Sequence, residues 1–466
     1  MALRFHNSLT RRREDFVPLK PGQVGLYTCG PTVYNYAHIG NFRTFVFEDL
    51  LRRALAFLGY QVTQVMNFTD VDDKTIRGSR EAGESLAEFT ARYKQAFFED
   101  LDTLRIQRAE FYPAATDHIA EMVDLIQRLR ERGHTYEDNG SIYFRLSSFP
   151  GYGRLANLNP EQMRVGGRVD SDEYEKEDVR DFALWKAWSP EDGPVYWDTP
   201  LGRGRPGWHV ECSAMSMKYL GEHFDIHTGG VDNRFPHHEN EIAQSCCATG
   251  GPFVGTWLHS EFLLVEGKKM SKSLGNFYTL RDLLDKGLDP VAIRYTLLSV
   301  HYRAQLNFSF EGIEASAQAI RRLRDLHRRL DTAAAGPGSG GRCGAGTEAC
   351  RAEFKTALED DLNLAGALGH LFIWVREVNG LLDRGLPDAA ELASMKDWLQ
   401  QVDTVLDVLC EECDEEEECR IRTLVERRTA AKRDRNFAEA DRLRQEIESK
   451  GWLVKDTPAG PVFHRR

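Results

Sequence analysis

The sequence predicts an α/β protein: a parallel-sheet domain split by an insertion, followed by a helical bundle and a small α+β module. Three observations predict it. A strand–helix–strand unit opens the chain, the same pattern resumes near Trp208 after a long interruption, and helical periodicity takes over beyond Phe310. Strands joined by a crossover helix run parallel, because only such a connection brings the chain back in the same direction.

The elements follow in order. Val24-Gly25-Leu26-Tyr27-Thr28-Cys29 is a short apolar run stopped by Gly30-Pro31, the pattern of a strand and a break. Over 42–58, Phe45, Val46, Leu50, Leu51, Ala54, Leu55 and Leu58 recur at helical spacing, and Gly59 supplies the C′ stop. A second strand is expected over 61–68. His38 then stands where the crossover helix begins, and helix N-termini attract phosphate. Residues 119–205 read as an insertion, with a helix over 118–132, a strand over 141–145 and turn-rich connections. Cys212 falls on the next helix, and Phe224-Asp225-Ile226-His227 on the strand after it. Gly229-Gly230-Val231-Asp232 is expected as a loop, and Pro236 as the first residue of a helix. One strand is expected over 257–265. Residues 333–347, rich in Gly, Ala, Pro and Ser, read as a flexible insert without core-forming power. Residues 411–418 are nearly continuous acid and read as a solvated linker. Two helices, 421–434 and 437–450, and two short strands around Thr457-Pro458-Ala459-Gly460 follow.

The 466 residues suffice for two to four domains and a sizeable core. No apolar run approaches the roughly 20 residues that span a bilayer. Residues 1–10 lack an apolar signal segment, so a cytoplasmic location is expected. The nine cysteines are odd in number and irregularly spaced, which suits free thiols and metal ligands better than a disulfide framework. Charge is uneven. Residues 420–466 hold 13 Arg and Lys against 7 Asp and Glu, a net of +6, so the remainder carries −18 of the overall −12. A basic module on an acidic body suits polyanion docking; a solvated helical face gives the same charge.

Four residues carry a candidate metal site: Cys29, Cys212, His237 and Glu241. His237 and Glu241 are four apart on an expected helix and share a face. Thiolates with imidazole and carboxylate suit zinc rather than magnesium or calcium. A His-x-x-x-Glu pair is by itself also what a surface contact gives. Cys246 and Cys247 lie on the same helix but point away from His237 and read as core cysteines. Two further motifs handle phosphate. His38-Ile39-Gly40-Asn41 puts a histidine and an approachable backbone at a helix start. Lys269-Met270-Ser271-Lys272-Ser273 lies in a polar loop near Gly267 and Gly275, where two lysines can neutralise a departing pyrophosphate.

In conjunction these motifs resemble the class I aminoacyl-tRNA synthetases. The words Tyr27-Thr28-Cys29-Gly30-Pro31-Thr32-Val33-Tyr34, Asn67-Phe68-Thr69-Asp70-Val71-Asp72-Asp73-Lys74, Gly207-Trp208-His209-Val210-Glu211-Cys212-Ser213 and Phe235-Pro236-His237-His238-Glu239-Asn240-Glu241 are similar to those of the cysteinyl-tRNA synthetase family. The likeness runs from Leu3 to about Phe463. It implies a Rossmann-like catalytic domain in two halves, 1–118 and 206–262, around a connective insertion at 119–205. A stem-contact segment at 263–312, a helical bundle at 313–410 and an anticodon-binding domain at 420–466 would follow. The resemblance implies zinc on Cys29, Cys212, His237 and Glu241, reading the substrate thiol. It implies amino-acid contacts from Thr69, Trp208 and Asp232, and ATP contacts, with Mg2+, from His38, Asn41, Lys269 and Lys272. The family's signature often ends in histidine where Asn41 stands; asparagine can still donate to phosphate. The expected partners are L-cysteine, ATP and tRNA(Cys), with no membrane, and a monomer is expected. Two rivals share part of the pattern. One is a cysteine ligase of the mycothiol type, which has no use for a basic C-terminal module carrying Arg427, Arg428, Lys432, Arg433, Arg435 and Phe437. The other is a non-catalytic thiol sensor, which would have lost His38 or the lysine motif.

Overall fold

The apolar stripe of the first expected helix turns inward: Phe45, Val46, Leu50, Leu51, Ala54 and Leu55 are all buried. The computed structural model describes residues 2–158, 168–169, 181–410, 415–434, 436–457 and 460–465. In it β1 (Gln23–Thr28), α1 (Ile39–Phe57) and β2 (Gln61–Met66) form the opening unit. The helix begins at Ile39, where the His38 motif was expected to open it, because His38 caps it. His38 Nδ1 accepts the Asn41 amide, and the Asn41 side chain accepts the His38 amide, both at 3.1 Å. That reciprocal box satisfies two donors a helix start leaves open. Gly59, at φ 92°, ends the helix in a left-handed turn.

The second half of the sheet comes from α2 (Trp208–Leu220), β3 (Phe224–Gly230), α3 (Glu239–Thr249) and β4 (Val254–Ser260). The strand order is β4–β3–β1–β2, all parallel. From β1 the chain winds outward to β2, and from β3 it winds the other way to β4. The order therefore reverses between β1 and β3, and a crevice opens beyond their carboxyl ends. Between β2 and α2 lies an antiparallel sheet in the order Thr135–Asp138, Ser141–Phe144, Asp181–Ala187, Gly202–Pro206, Trp197–Thr199. The helix Ile119–Glu131 packs on α2 and α3.

Four expectations between 229 and 347 are corrected. Gly229 and Gly230 still belong to β3, where Gly229 pairs with His259 and Gly230 with Ser260, so the loop starts at Val231. Pro236 does not open the helix: Phe235 has extended φ/ψ inside an irregular turn, Arg234–His238, and regular helix starts at Glu239. The single strand over 257–265 is two, since β4 ends at Ser260 and Leu263–Val265 joins another sheet with Lys268–Lys269 and Leu306–Phe308. The insert at 333–347 is shorter than expected, because a helix spans Arg342–Glu359. Thr347 on it is fully buried and accepts a hydrogen bond from Trp374 Nε1 at 3.1 Å.

That helix is one of four in the bundle: α4 (Phe310–Thr332), α5 (Arg342–Glu359), α6 (Leu364–Asp383) and α7 (Ala389–Leu406). Leu326, Phe354, Leu371 and Trp398, one from each helix, are buried in a core continuous with that of α1. Fully buried Arg294 fastens the join. It donates to Asp49 Oδ2 of α1 at 2.5 Å and to the Leu406 carbonyl at 3.0 Å.

The chain forms two compact units, Met1–Leu409 and Cys410–Arg466. The second holds α8 (Glu415–Arg433), α9 (Phe437–Ser449) and the antiparallel pair β5 (Trp452–Thr457) and β6 (Gly460–Arg465). Ile421, Leu424, Leu443, Ile447 and Trp452 make its core. Residues 415–418 of the acidic run are helical rather than linker. Residues 411–414, Arg435, Pro458 and Ala459 lie outside the described residues. Among those described, no helix is long and apolar enough to cross a membrane.

Candidate metal centre and nucleotide site

The crevice between β1 and β3 is where four buried donors meet. Cys29 follows β1, Cys212 sits on α2, and His237 and Glu241 lie before and on α3. Their ligand atoms all fall within 4.8 Å of one another. His237 Nε2 is 3.4 Å from Cys212 Sγ and 3.2 Å from Glu241 Oε1. The four-residue spacing survives the irregular turn, so the pair converges although His237 is not on regular helix. Gly30 lets the chain turn here: a Cβ on it would collide with the Asn67 carbonyl oxygen.

Burial sets the charge of these groups. It pushes the Cys29 and Cys212 thiols up, with each other and Glu241 as further influences, and holds His237 down to about 3. Two thiols beside a neutral imidazole are a state from which a dication displaces protons as it binds. Glu241 Oε1 is buried and accepts no hydrogen bond despite its closeness to His237. An orphaned carboxylate oxygen beside two thiols and an imidazole fits a zinc-type ion.

Residues that the sequence did not single out complete the surroundings. Among the described residues a second set, Cys29, His227, His238 and Glu241, meets the same distance condition. His259 lies behind His238, with Nε2 2.8 Å from His238 Nδ1. His209 Nδ1 lies 2.9 Å from His237 Nδ1. Only the adjacency of His237 and His238 could have signalled this, since buried histidines on strands follow no sequence pattern.

The expected amino-acid contacts line the same crevice. Trp208 stacks on His237, with ring centroids 4.3 Å apart and planes at 23°. Thr69, buried, donates to Glu211 Oε2 at 2.7 Å. Burial raises the Glu211 carboxyl well above the usual range, against that hydrogen bond. Asp232 is exposed beyond the end of β3, and its charge opposes the fall that burial imposes on His38.

The two phosphate motifs also meet. Ile39 donates its amide to the Tyr278 carbonyl at 2.9 Å, and His38 bridges to Thr279. A Cβ on Gly40 would lie 2.9 Å from His38 Nδ1 and 3.1 Å from Met270 Cε, so the lysine loop folds over the helix start. The loop closes on itself: Asn276 Nδ2 donates to the Lys269 carbonyl at 3.2 Å, and Ser271 donates its amide to Asn276 Oδ1 at 2.9 Å. Lys269 is exposed, and the Lys272 side chain lies outside what is described.

A capped helix start, a two-lysine loop and a buried thiol-rich cluster share one parallel-sheet crevice. Residues 15–318 match the family of tRNA synthetases class I (C) catalytic domains, and residues 353–410 match the DALR domain. A cysteine–tRNA ligase of Brachyspira hyodysenteriae is 52% identical over 471 residues, covering 99% of both chains. The chain belongs to the cysteine–tRNA ligase family of class I synthetases. A cysteine–tRNA ligase of Solibacter usitatus is 48% identical across 100% of both chains. Among solved structures, a Mycobacterium tuberculosis methionyl-tRNA synthetase with methionyl-adenylate matches at TM-score 0.59 and 16% identity, covering 83% of this chain and 90% of that one. An Agrobacterium radiobacter LeuRS ternary complex matches at TM-score 0.60 and 11% identity, covering 84% of each. At those identities the likeness shows the fold that cysteine–tRNA ligases share with other class I synthetases.

Proposed function

We propose that the chain activates L-cysteine with Mg-ATP to cysteinyl-adenylate and then transfers cysteine to the 3′ end of tRNA(Cys). The observation that carries this reading is the buried Cys29–Cys212–His237–Glu241 cluster in the same crevice as the capped start of α1. Zinc held by those four side chains would supply a soft Lewis acid that prefers sulfur to oxygen. Trp208, stacked on His237, with buried Thr69 and exposed Asp232, are the groups we assign to holding the amino acid's ammonium and carboxylate. The attacking group of the first step is already a carboxylate, so no protein base is needed. His38 and Asn41 at the helix start, with Lys269 and Lys272, hold the triphosphate in line and stabilise charge as pyrophosphate leaves. In the second step the terminal ribose hydroxyl attacks the activated carbonyl and AMP departs.

Selectivity rests on sulfur. Hydrophobic contacts separate near-isosteres such as cysteine and serine by only about 1–3 kcal/mol. A donor set that binds the substrate sulfur adds a difference in bond type, so no hydrolytic editing site is required. We propose a monomeric cytoplasmic enzyme whose basic C-terminal unit meets the tRNA. The test is charging of tRNA(Cys) by the purified protein: cysteine should be attached in an ATP-dependent reaction, and absence of charging with pure tRNA(Cys) would overturn the assignment.

A further inference from the structure

The buried cluster contains more donors than one tetrahedral ion uses. We infer that Cys29, His227, His238 and Glu241 form a second, alternative coordination set, which holds a single divalent transition-metal ion when Cys212 is withdrawn. The inference rests on reading the cluster as a metal centre.

Geometry carries it. All four side chains are fully or almost fully buried, with ligand atoms within 4.8 Å of one another. His227 Nε2 lies 3.0 Å from Glu241 Oε2, and His238 Nε2 lies 3.2 Å from Cys29 Sγ. Both imidazoles have their other nitrogen engaged. His227 Nδ1 is 3.2 Å from its neighbour's carbonyl, Thr228 O, which can only accept. In the tautomer that donates from Nδ1 to that carbonyl, the Nε2 lone pair faces Glu241 Oε2, the arrangement a metal ligand needs. A proton or a metal ion can bridge the two at 3.0 Å, and the crowding of four such donor atoms within 4.8 Å of one another favours the ion. His238 Nδ1 is 2.8 Å from His259 Nε2, and His259 Nδ1 is 2.8 Å from Ser8 Oγ. Fixing the far nitrogen in this way is how proteins orient metal-bound histidines.

Charge points the same way. Two thiolates and a carboxylate around a dication leave a net negative centre, whereas one thiolate and one carboxylate leave a neutral one. Loss of Cys212 therefore leaves a set whose charge still balances a dication, which a pocket closed to water tolerates. The sets share Cys29 and Glu241, so both would hold the ion in the same crevice.

Zinc content and Co2+ absorption test this on the full-length wild type, Cys212→Ala, and Cys212→Ala combined with His227→Gln or His238→Gln, with circular dichroism to verify folding. Cys212→Ala should keep one ion per chain, with the thiolate-to-cobalt band falling by about half as one of two thiolates is lost. Each double variant should lose the ion. A folded Cys212→Ala protein that binds none, or double variants that keep theirs, would overturn the inference. Wild type that binds no metal would defeat the metal-centre reading as well. Should Cys212→Ala fail to fold, His227→Gln and His238→Gln alone should release zinc to a chelator about 10-fold faster than wild type; equal rates would overturn the inference.

Discussion

Glu48 lies fully buried on α1 beneath the crevice, where Thr228 Oγ1 donates to it at 2.8 Å. Burial pushes its carboxyl from 4.5 up to about 8. The folded chain thus keeps a proton that the unfolded chain releases, so this contribution is complete below pH 4.5 and is lost as pH rises toward 8. Glu48→Gln should flatten that dependence. Its urea midpoint should fall less than that of wild type between about pH 5 and pH 8, and parallel losses would count against it. His209 and His237 act oppositely: burial holds both down to about 3, so in metal-free protein their contribution is present above 6.5 and is lost on acidification. At this scale the sequence was legible where chemistry sits in a recognisable word. Cys29, Cys212, His237 and Glu241 were found through their flanking residues. His227, His238, His259 and Glu211 were not, because a buried polar residue on a strand or helix looks like any other until its partners converge from distant segments.

The start of α1 shows what an element contributes. His38 and Asn41 belong to the expected nucleotide site and also close the helix N-terminus by a reciprocal pair of hydrogen bonds. Asn41→Ala removes the hydrogen bond to the His38 amide and should therefore cost about 1 kcal/mol of stability in denaturant titration as well as slowing adenylate formation. A loss of activity with no loss of stability would show that the cap carries no weight. Elements with strong periodicity, such as 42–58 and 437–450, were legible to within a few residues. The helix Arg342–Glu359 was half hidden, because Gly344 and Gly346 form poor helix on propensity alone. Burial of Thr347, Cys350 and Phe354 against the bundle overrides that preference. The break after Ser260 was hidden for the opposite reason: apolar residues resume at once in Phe262-Leu263-Leu264-Val265, of which Leu263–Val265 joins another sheet.

On the scale of the whole molecule the alternating pattern was sufficient to foretell a parallel sheet, but not the order of its strands. The reversal between β1 and β3 depends on pairing residues about two hundred positions apart, which no local signal encodes. The chain resolves into Met1–Leu409, which contains the crevice, and Cys410–Arg466, which has its own small core. A chain ending at Leu409 should retain cysteine-dependent ATP–pyrophosphate exchange while losing most tRNA charging; loss of both in a folded protein would assign the C-terminal unit to activation as well. The most direct test of thiol selection is that exchange reaction run with cysteine and with serine, on wild type and on Cys212→Ser. Selection by the buried donor set predicts exchange with cysteine, almost none with serine, and a large rise in the KM for cysteine in the variant. A Cys212→Ser protein that kept full cysteine affinity and still rejected serine would contradict it.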